Sequence, residues 1–219
     1  MCFSAPVSFA ASAFIATAGV MALRETTLKS ERPFASVPLL FAIQQFIEGC
    51  LWVLLPQAGT GAATHALTQG YAVFIGVIWP VIIPLSILLI EPDLIRKRLM
   101  QVVLLLGVAV AAFTLMIILK YGVAVQMVNQ CLVYTNPVGG GFWIRSAYVV
   151  ATCAAFFISS HVSVRVIGMA MVVGFAVAFS FFRLNYPSVW CFFAALVSGL
   201  TYWHFRRKKT GDVKETLTV

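Results

Sequence analysis

An all-α bundle of seven transmembrane helices is the fold class this sequence predicts, and three observations predict it. Hydrophobic residues make up 61% of the 219-residue chain and charged residues only 10%, a balance that points to a membrane protein. Apolar runs of 17 or more residues recur along its whole length, each able to cross a hydrocarbon core about 30 Å thick. The connections between them are mostly short, so sequential helices should be antiparallel neighbours. The spans read as 7–23, 37–55, 67–90, 99–120, 142–160, 164–183 and 188–205. They form one transmembrane domain over 1–205, followed by a basic cytoplasmic tail over 206–219.

Taken in order, the first apolar run follows "MCFSAPVSFA". That stretch has neither the basic region nor the cleavage pattern of a signal peptide, so the run is retained as helix one. Ser8, Ser12 and Ala16 recur in it at four-residue spacing, the pattern of close backbone packing. Helix two, "LLFAIQQFIEGCLW", is apolar until Gln44, Gln45 and Glu48 interrupt it. In helix three, Pro80 and Pro84 each remove a backbone donor, so a kink is expected near mid-membrane, with Trp79 beside it. Helix four, with only Gln101 and Thr114 as polar features, is expected to face lipid.

The longest connection, 121–141, is rich in Val and Tyr, and the runs on either side of Asn129 and Gln130 predict a short hairpin. A two-stranded hairpin is marginal alone, so it should rest on the bundle as an outer cap between helices four and five. Helix six repeats the small-residue spacing at Ala170, Gly174 and Ala178. Helix seven opens after the turn "RLNYPSVW", with Ser188 as its N-cap.

Charge sets the orientation. The net charge is +8. Arg24, Lys29, Arg32, Arg96, Lys97, Arg98, Arg165, Arg206 to Lys209 and Lys214 fall on one side of the seven-span arrangement, whereas only Lys120, Arg145 and Arg183 fall on the other. The positive-inside rule then puts the tail in the cytoplasm and the N-terminus outside, as expected of a multi-pass protein of the inner (plasma) membrane. The basic tail is a stop-transfer flank touching the lipid bilayer rather than a nucleic-acid site. Cys2, Cys50, Cys131 and Cys191 lie near outer ends, where an oxidising compartment makes Cys2, Cys131 and Cys191 disulfide candidates. The alternative is that they are small buried hydrophobes.

Glu48 is the sole acidic residue within a span. A charge at a helix centre costs about 2.5–3.5 kcal/mol on insertion scales, so Glu48 should face the bundle interior, be protonated, or both. Phe41, Gln44, Gln45 and Trp52 share its general face, and Arg145 and Arg183 are candidate counter-charges. Several further residues converge on that level: Cys2, Ser4, His65, Asn129, Cys131, Tyr134, Asn185, Tyr186, Trp190 and Cys191.

Three readings of this cluster compete. One is a structural salt bridge with a disulfide. Another is an outward-facing pocket for a small molecule or lipid, with Glu48, Gln44, Gln45, Arg145, Arg183, Trp79 and Trp190 as binding residues. The third is a zinc site drawn from Cys2, His65, Glu48 and Cys191, with Cys131 as a further thiol, which would make the protein a metal-dependent membrane enzyme. No two candidate ligands show a diagnostic spacing. His161 and His204, on the cytoplasmic side, read as interfacial residues. No phosphate loop, HExxH helix or Gly-x-Ser-x-Gly elbow occurs, so nucleotide-binding and hydrolase readings lose support.

The segments "MCFSA", "PLLFAIQQFIEG", "WP" and "SVWCFFAALVS" resemble an uncharacterised family of small bacterial polytopic membrane proteins beginning Met-Cys-Phe-Ser. The resemblance implies a shared multi-helix fold and brings no established activity. Its matching positions are Cys2, Gln44, Gln45, Glu48, Trp79, Pro80, Trp190 and Cys191. The seven-span zinc hydrolases that resemble alkaline ceramidases are a poor match, because the last helix offers His204 without a paired histidine. A small transporter or a scaffold is a further alternative, although no internal repeat supports a carrier. The leading expectation is a membrane protein that binds or senses a small or lipidic ligand at the outer polar pocket.

Overall fold

The computed structural model describes residues 4–59, 61–128, 131–138, 141–181 and 197–208. Helix α1 spans Ala5–Glu25, and a single 3₁₀ turn, Lys29–Glu31, leads into α2, Arg32–Ala58. Helix α3, Ala62–Val73, and α4, Trp79–Ile90, form one rod joined through a π-turn at Phe74–Ile78. Then come α5, Leu94–Tyr121, strands β1, Ala124–Val128, and β2, Cys131–Thr135, and helices α6, Phe142–Ile158, and α7, Val162–Phe181. Residues 197–208 are helical as well and are termed α8. Among the described residues, five helical stretches are long and apolar enough to cross a membrane: Ala5–Glu25, Lys29–Gln57, Ala62–Ile90, Leu94–Tyr121 and Val162–Ser180. That is the build of a membrane protein.

Helix α1 lies along α2, and the small-residue spacing explains how. Ser8, Ser12 and Gly19 are buried, Ser12 Oγ donates to the Ala42 carbonyl at 2.8 Å, and a Cβ on Gly19 would stand 2.8 Å from Leu39. The α3–α4 rod departs from regular α-helical bonding for a backbone reason. Pro80 has no N–H for the Gly76 carbonyl, and one turn earlier the helix widens, the Trp79 N–H bonding to Phe74 O five residues back. Pro84 likewise leaves the Pro80 carbonyl without its helical donor. That oxygen projects at Gly107 of α5, where a Cβ would stand only 1.8 Å away. Only glycine admits so close an approach, and the carbonyl gains a weak Cα–H contact.

Helix α5 therefore does not simply face lipid, as its composition suggested. Met100, Val103, Gly107, Val110, Ala111, Ile117 and Ile118 form a buried face against α4 and α6, while Leu105, Leu119 and Val102 stay exposed. Its apolar residues mask this division, since packed and lipid-facing sides are equally hydrophobic. Asp93 caps the helix, its side chain accepting from the Arg96 N–H at 2.8 Å.

The hairpin forms as expected, with antiparallel pairs running from Ala124–Thr135 to Val128–Cys131. Its alternation turns Val125, Leu132 and Tyr134 toward α2 and α3, where they pack with Leu51 and Tyr71. Tyr134 stacks on Tyr71 at 4.4 Å. Gly122, at φ +69°, ends α5. Gln69 then pairs with the next residue like a strand, donating to Val123 O at 2.8 Å and accepting from its N–H at 3.0 Å.

Candidate functional site

Glu48 is entirely buried, and Gln44 and Gln45 are 1% and 4% exposed. All three sit in the middle of α2, where helical spacing stacks positions 41, 44, 45 and 48 within two turns. Gln45 Nε2 donates to Glu48 Oε2 at 3.3 Å. Trp79 Nε1 donates to Gln44 Oε1 at 2.6 Å, while its ring stacks on Phe41 with centroids 4.0 Å apart. The first turn of α4 thus covers the cluster from the side, directly after the π-turn at Phe74–Ile78. The Gln45 amide orients the carboxylate, and the Trp79 indole fixes the Gln44 amide beside it.

The remaining predicted residues are spread over other elements. Arg145 is exposed in the first turn of α6. Trp52 is half-buried and joins the core beneath the hairpin. His65 is exposed, with its Nε2 3.3 Å from Gln69 Nε2. Cys131 is buried at the start of β2, and Cys50 and Cys153 carry free thiols. Arg183, Asn185, Tyr186, Trp190, Cys191, Cys2 and Asn129 lie outside the described residues. Among the described residues, no three His, Cys, Asp or Glu side chains gather as a metal site.

A family model built on proteins of unknown function, DUF6629, matches residues 1–216. The chain belongs to DUF6629. No curated protein and no solved structure matches it. For this DUF6629 protein the chemistry must accordingly be argued from its own side chains.

A second polar centre in the DUF6629 protein lies at the N-terminal end of α2, where the sequence suggested only interfacial residues. Glu31 is buried, accepts from the Thr27 and Leu28 N–H groups at 2.9 and 3.1 Å, and forms an ion pair with Lys208 of α8. His161 and His204 meet edge to face with ring centroids 5.9 Å apart. His161 Nε2 contacts the Ile90 carbonyl at 3.0 Å, which requires a proton on that nitrogen and leaves Nδ1 as the acceptor of the neutral ring. His204 Nδ1 lies 2.5 Å from Ser163 Oγ. A cavity of about 200 Å³ opens among Leu28, Ser30, Glu31, Leu89, Ile90, His161, His204 and Lys208. The sequence signal was the i, i+4 pair His204 and Lys208; what it lacked was the long-range partner of each.

Beside this centre, Glu91 ties three elements together. It accepts from Ser159 Oγ at 3.1 Å, Ser160 N–H at 2.8 Å and Asp93 N–H at 3.3 Å. Burial by itself pushes the Glu91 carboxyl up, but the hydrogen bonds from Ser160, Asp93 and Ser159 outweigh it and hold the group below the usual value of 4.5.

Proposed function

We propose that the protein is a multi-pass plasma-membrane protein, N-terminus outside, that binds or senses a small or lipidic ligand at the polar cluster around Glu48. The observation that carries this reading is the complete burial of Glu48 with Gln44 and Gln45 in the middle of an otherwise apolar helix. A bundle in lipid has no need of an ionisable group for packing, and intramembrane carboxylates are functional candidates for that reason. A carboxylate beside two carboxamides and an aromatic stack suits a ligand with a cationic or hydrogen-bond-donating head and an apolar body.

Retention of ligand through purification tests it. Small molecules and lipids extracted from full-length wild-type protein are quantified by mass spectrometry beside those from Glu48→Gln and Glu48→Ala. The expected result is a species retained by wild type and depleted at least about tenfold, some 1.4 kcal/mol, in Glu48→Ala, with helicity and unfolding midpoint retained in Glu48→Gln. Equal retention in all three proteins, or failure of both variants to fold, would make the cluster purely structural.

The orientation is supported by the grouping of Arg24, Lys29, Arg32, Arg96, Arg165, Arg206 and Lys208 around the end of the bundle that holds His161 and His204. At the other end, we infer that a disulfide from Cys131 to Cys2 or Cys191 staples the hairpin. The reading is supported by the burial of Cys131 at the start of β2 and by Cys50 and Cys153 being the free cysteines among the described residues. Peptide mapping of unreduced protein should return that link; a free thiol at Cys131 would remove it.

A further inference from the structure

A cavity opens between His161, His204 and Lys208. It lies 17 residues along α2 from Glu48 to Glu31, about 25 Å at the helical rise, so it does not depend on the reading of the Glu48 cluster. We propose that it binds a phosphate group, presented by an anionic lipid headgroup or as free phosphate.

The lining divides by chemistry. Leu28, Leu89 and Ile90 form an apolar wall, and Ser30, His161, His204 and Lys208 supply hydroxyl, imidazole and ammonium groups. The one carboxylate present, Glu31, is neutralised as an acceptor by the Thr27 and Leu28 N–H groups and by Lys208. That leaves the cavity without an uncompensated negative charge to repel an anion. Lys208 is anchored on one side by Glu31, yet its side chain is 36% exposed, so an ammonium with three donors can serve a second acceptor.

The hydrogen bond of His204 suits the same ligand, whereas the free nitrogen of His161 is an acceptor and suits a protonated phosphate oxygen. Ser163 engages Nδ1 of His204, and the Ile90 carbonyl engages Nε2 of His161. Each ring is thereby held in place with its second nitrogen unengaged among the described residues. A His204 ring that accepts from the Ser163 hydroxyl carries its proton on Nε2 and so presents a donor. Arg24, Lys29 and Arg32 lie in the chain near the lining residues Leu28, Ser30 and Glu31, and Arg206 and Arg207 precede Lys208, a positive neighbourhood that favours anions. About 200 Å³ exceeds several water molecules and accommodates a phosphate with part of its ester.

The test uses the full-length protein in a maltoside detergent and phosphate-free buffer. Thermal unfolding is followed with dihexanoyl phosphatidic acid, with inorganic phosphate, and with hexanoate as a phosphate-free anionic control. At a tenfold excess over Kd, the midpoint should rise by about 3 °C or more. Lys208→Arg should keep the shift. Lys208→Met removes the ammonium but strands Glu31, so Glu31→Gln/Lys208→Met, which removes both charges together, is the deciding variant and should abolish it. A shift with the phosphatidic acid alone assigns a lipid headgroup; a shift with both phosphate compounds assigns the phosphate group itself. No shift with either, an equal shift with hexanoate, or an undiminished shift in the double variant overturns the proposal.

Discussion

Trp79 shows how one side chain can carry two duties. Its ring stacks on Phe41 and its indole N–H donates to Gln44. Trp79→Phe keeps an aromatic ring but deletes the donor, so a loss of about 1 kcal/mol is expected, near the middle of the range measured for hydrogen bonds between membrane helices. In detergent this is a fall of a few degrees in the unfolding midpoint. Trp52 provides the control. Its Nε1 is buried and has no hydrogen-bond partner among the described residues, so Trp52→Phe should change packing only and lower the midpoint less. Equal losses at the two positions would mean that the Trp79–Gln44 bond contributes nothing. Glutamine and tryptophan both stood out in the sequence as polar marks on apolar helices, yet their pairing across 35 positions depends on how α4 turns after its π-turn.

At the level of helices, glycine substitutions separate contact from propensity. A Cβ at Gly107 meets the Pro80 carbonyl at 1.8 Å, a backbone atom that cannot rotate away. Gly107→Ala should therefore force α5 from α4 and cost about 1–3 kcal/mol or more. At Gly70 the nearest contact is Ile47 Cδ1 at 4.0 Å, ordinary van der Waals distance. Gly70→Ala should instead stabilise α3 by up to about 1 kcal/mol through helix propensity. Measuring both unfolding midpoints checks the opposite signs; a neutral Gly107→Ala would show that the α4–α5 approach is not close in solution. The two prolines marked the break in helical bonding from sequence alone. The need for glycine opposite the freed carbonyl was invisible, because position 107 in a featureless apolar helix looks like any other small residue.

For the whole molecule, the junction at Glu91 predicts an acid limit. A carboxyl held below its ordinary value binds fewer protons in the folded state than in the unfolded state. Its contribution is thus fully present above pH 4.5, the ordinary glutamate value, and is lost as pH falls through the folded value below it. Unfolding measured from pH 7 to pH 3 should show a falling acid limb that is shallower in Glu91→Gln; parallel curves would show that Glu91 does not link protonation to folding. The proposed orientation is checked separately. A C-terminal green fluorescent protein fusion should fluoresce and an alkaline phosphatase fusion at the same place should be inactive, and the reverse pattern would invert the topology.

What the sequence by itself determined follows from local physics. Apolar run length predicts helices able to span a bilayer, Pro80 and Pro84 mark the break in helical bonding, and Val and Tyr around positions 129–130 mark the hairpin. Each depends on near neighbours along the chain, as does the expectation that Gln44, Gln45 and Glu48 form one buried polar set. The tertiary structure decided which face of each apolar helix packs, because in lipid both faces are hydrophobic and no polar pattern distinguishes them. It left Arg145 exposed in the first turn of α6. It also gathered Glu31, His161, Ser163, His204 and Lys208, spread over 177 positions from Glu31 to Lys208, into one centre. Such long-range partners are fixed by how helices cross, and no residue's immediate neighbours encode that.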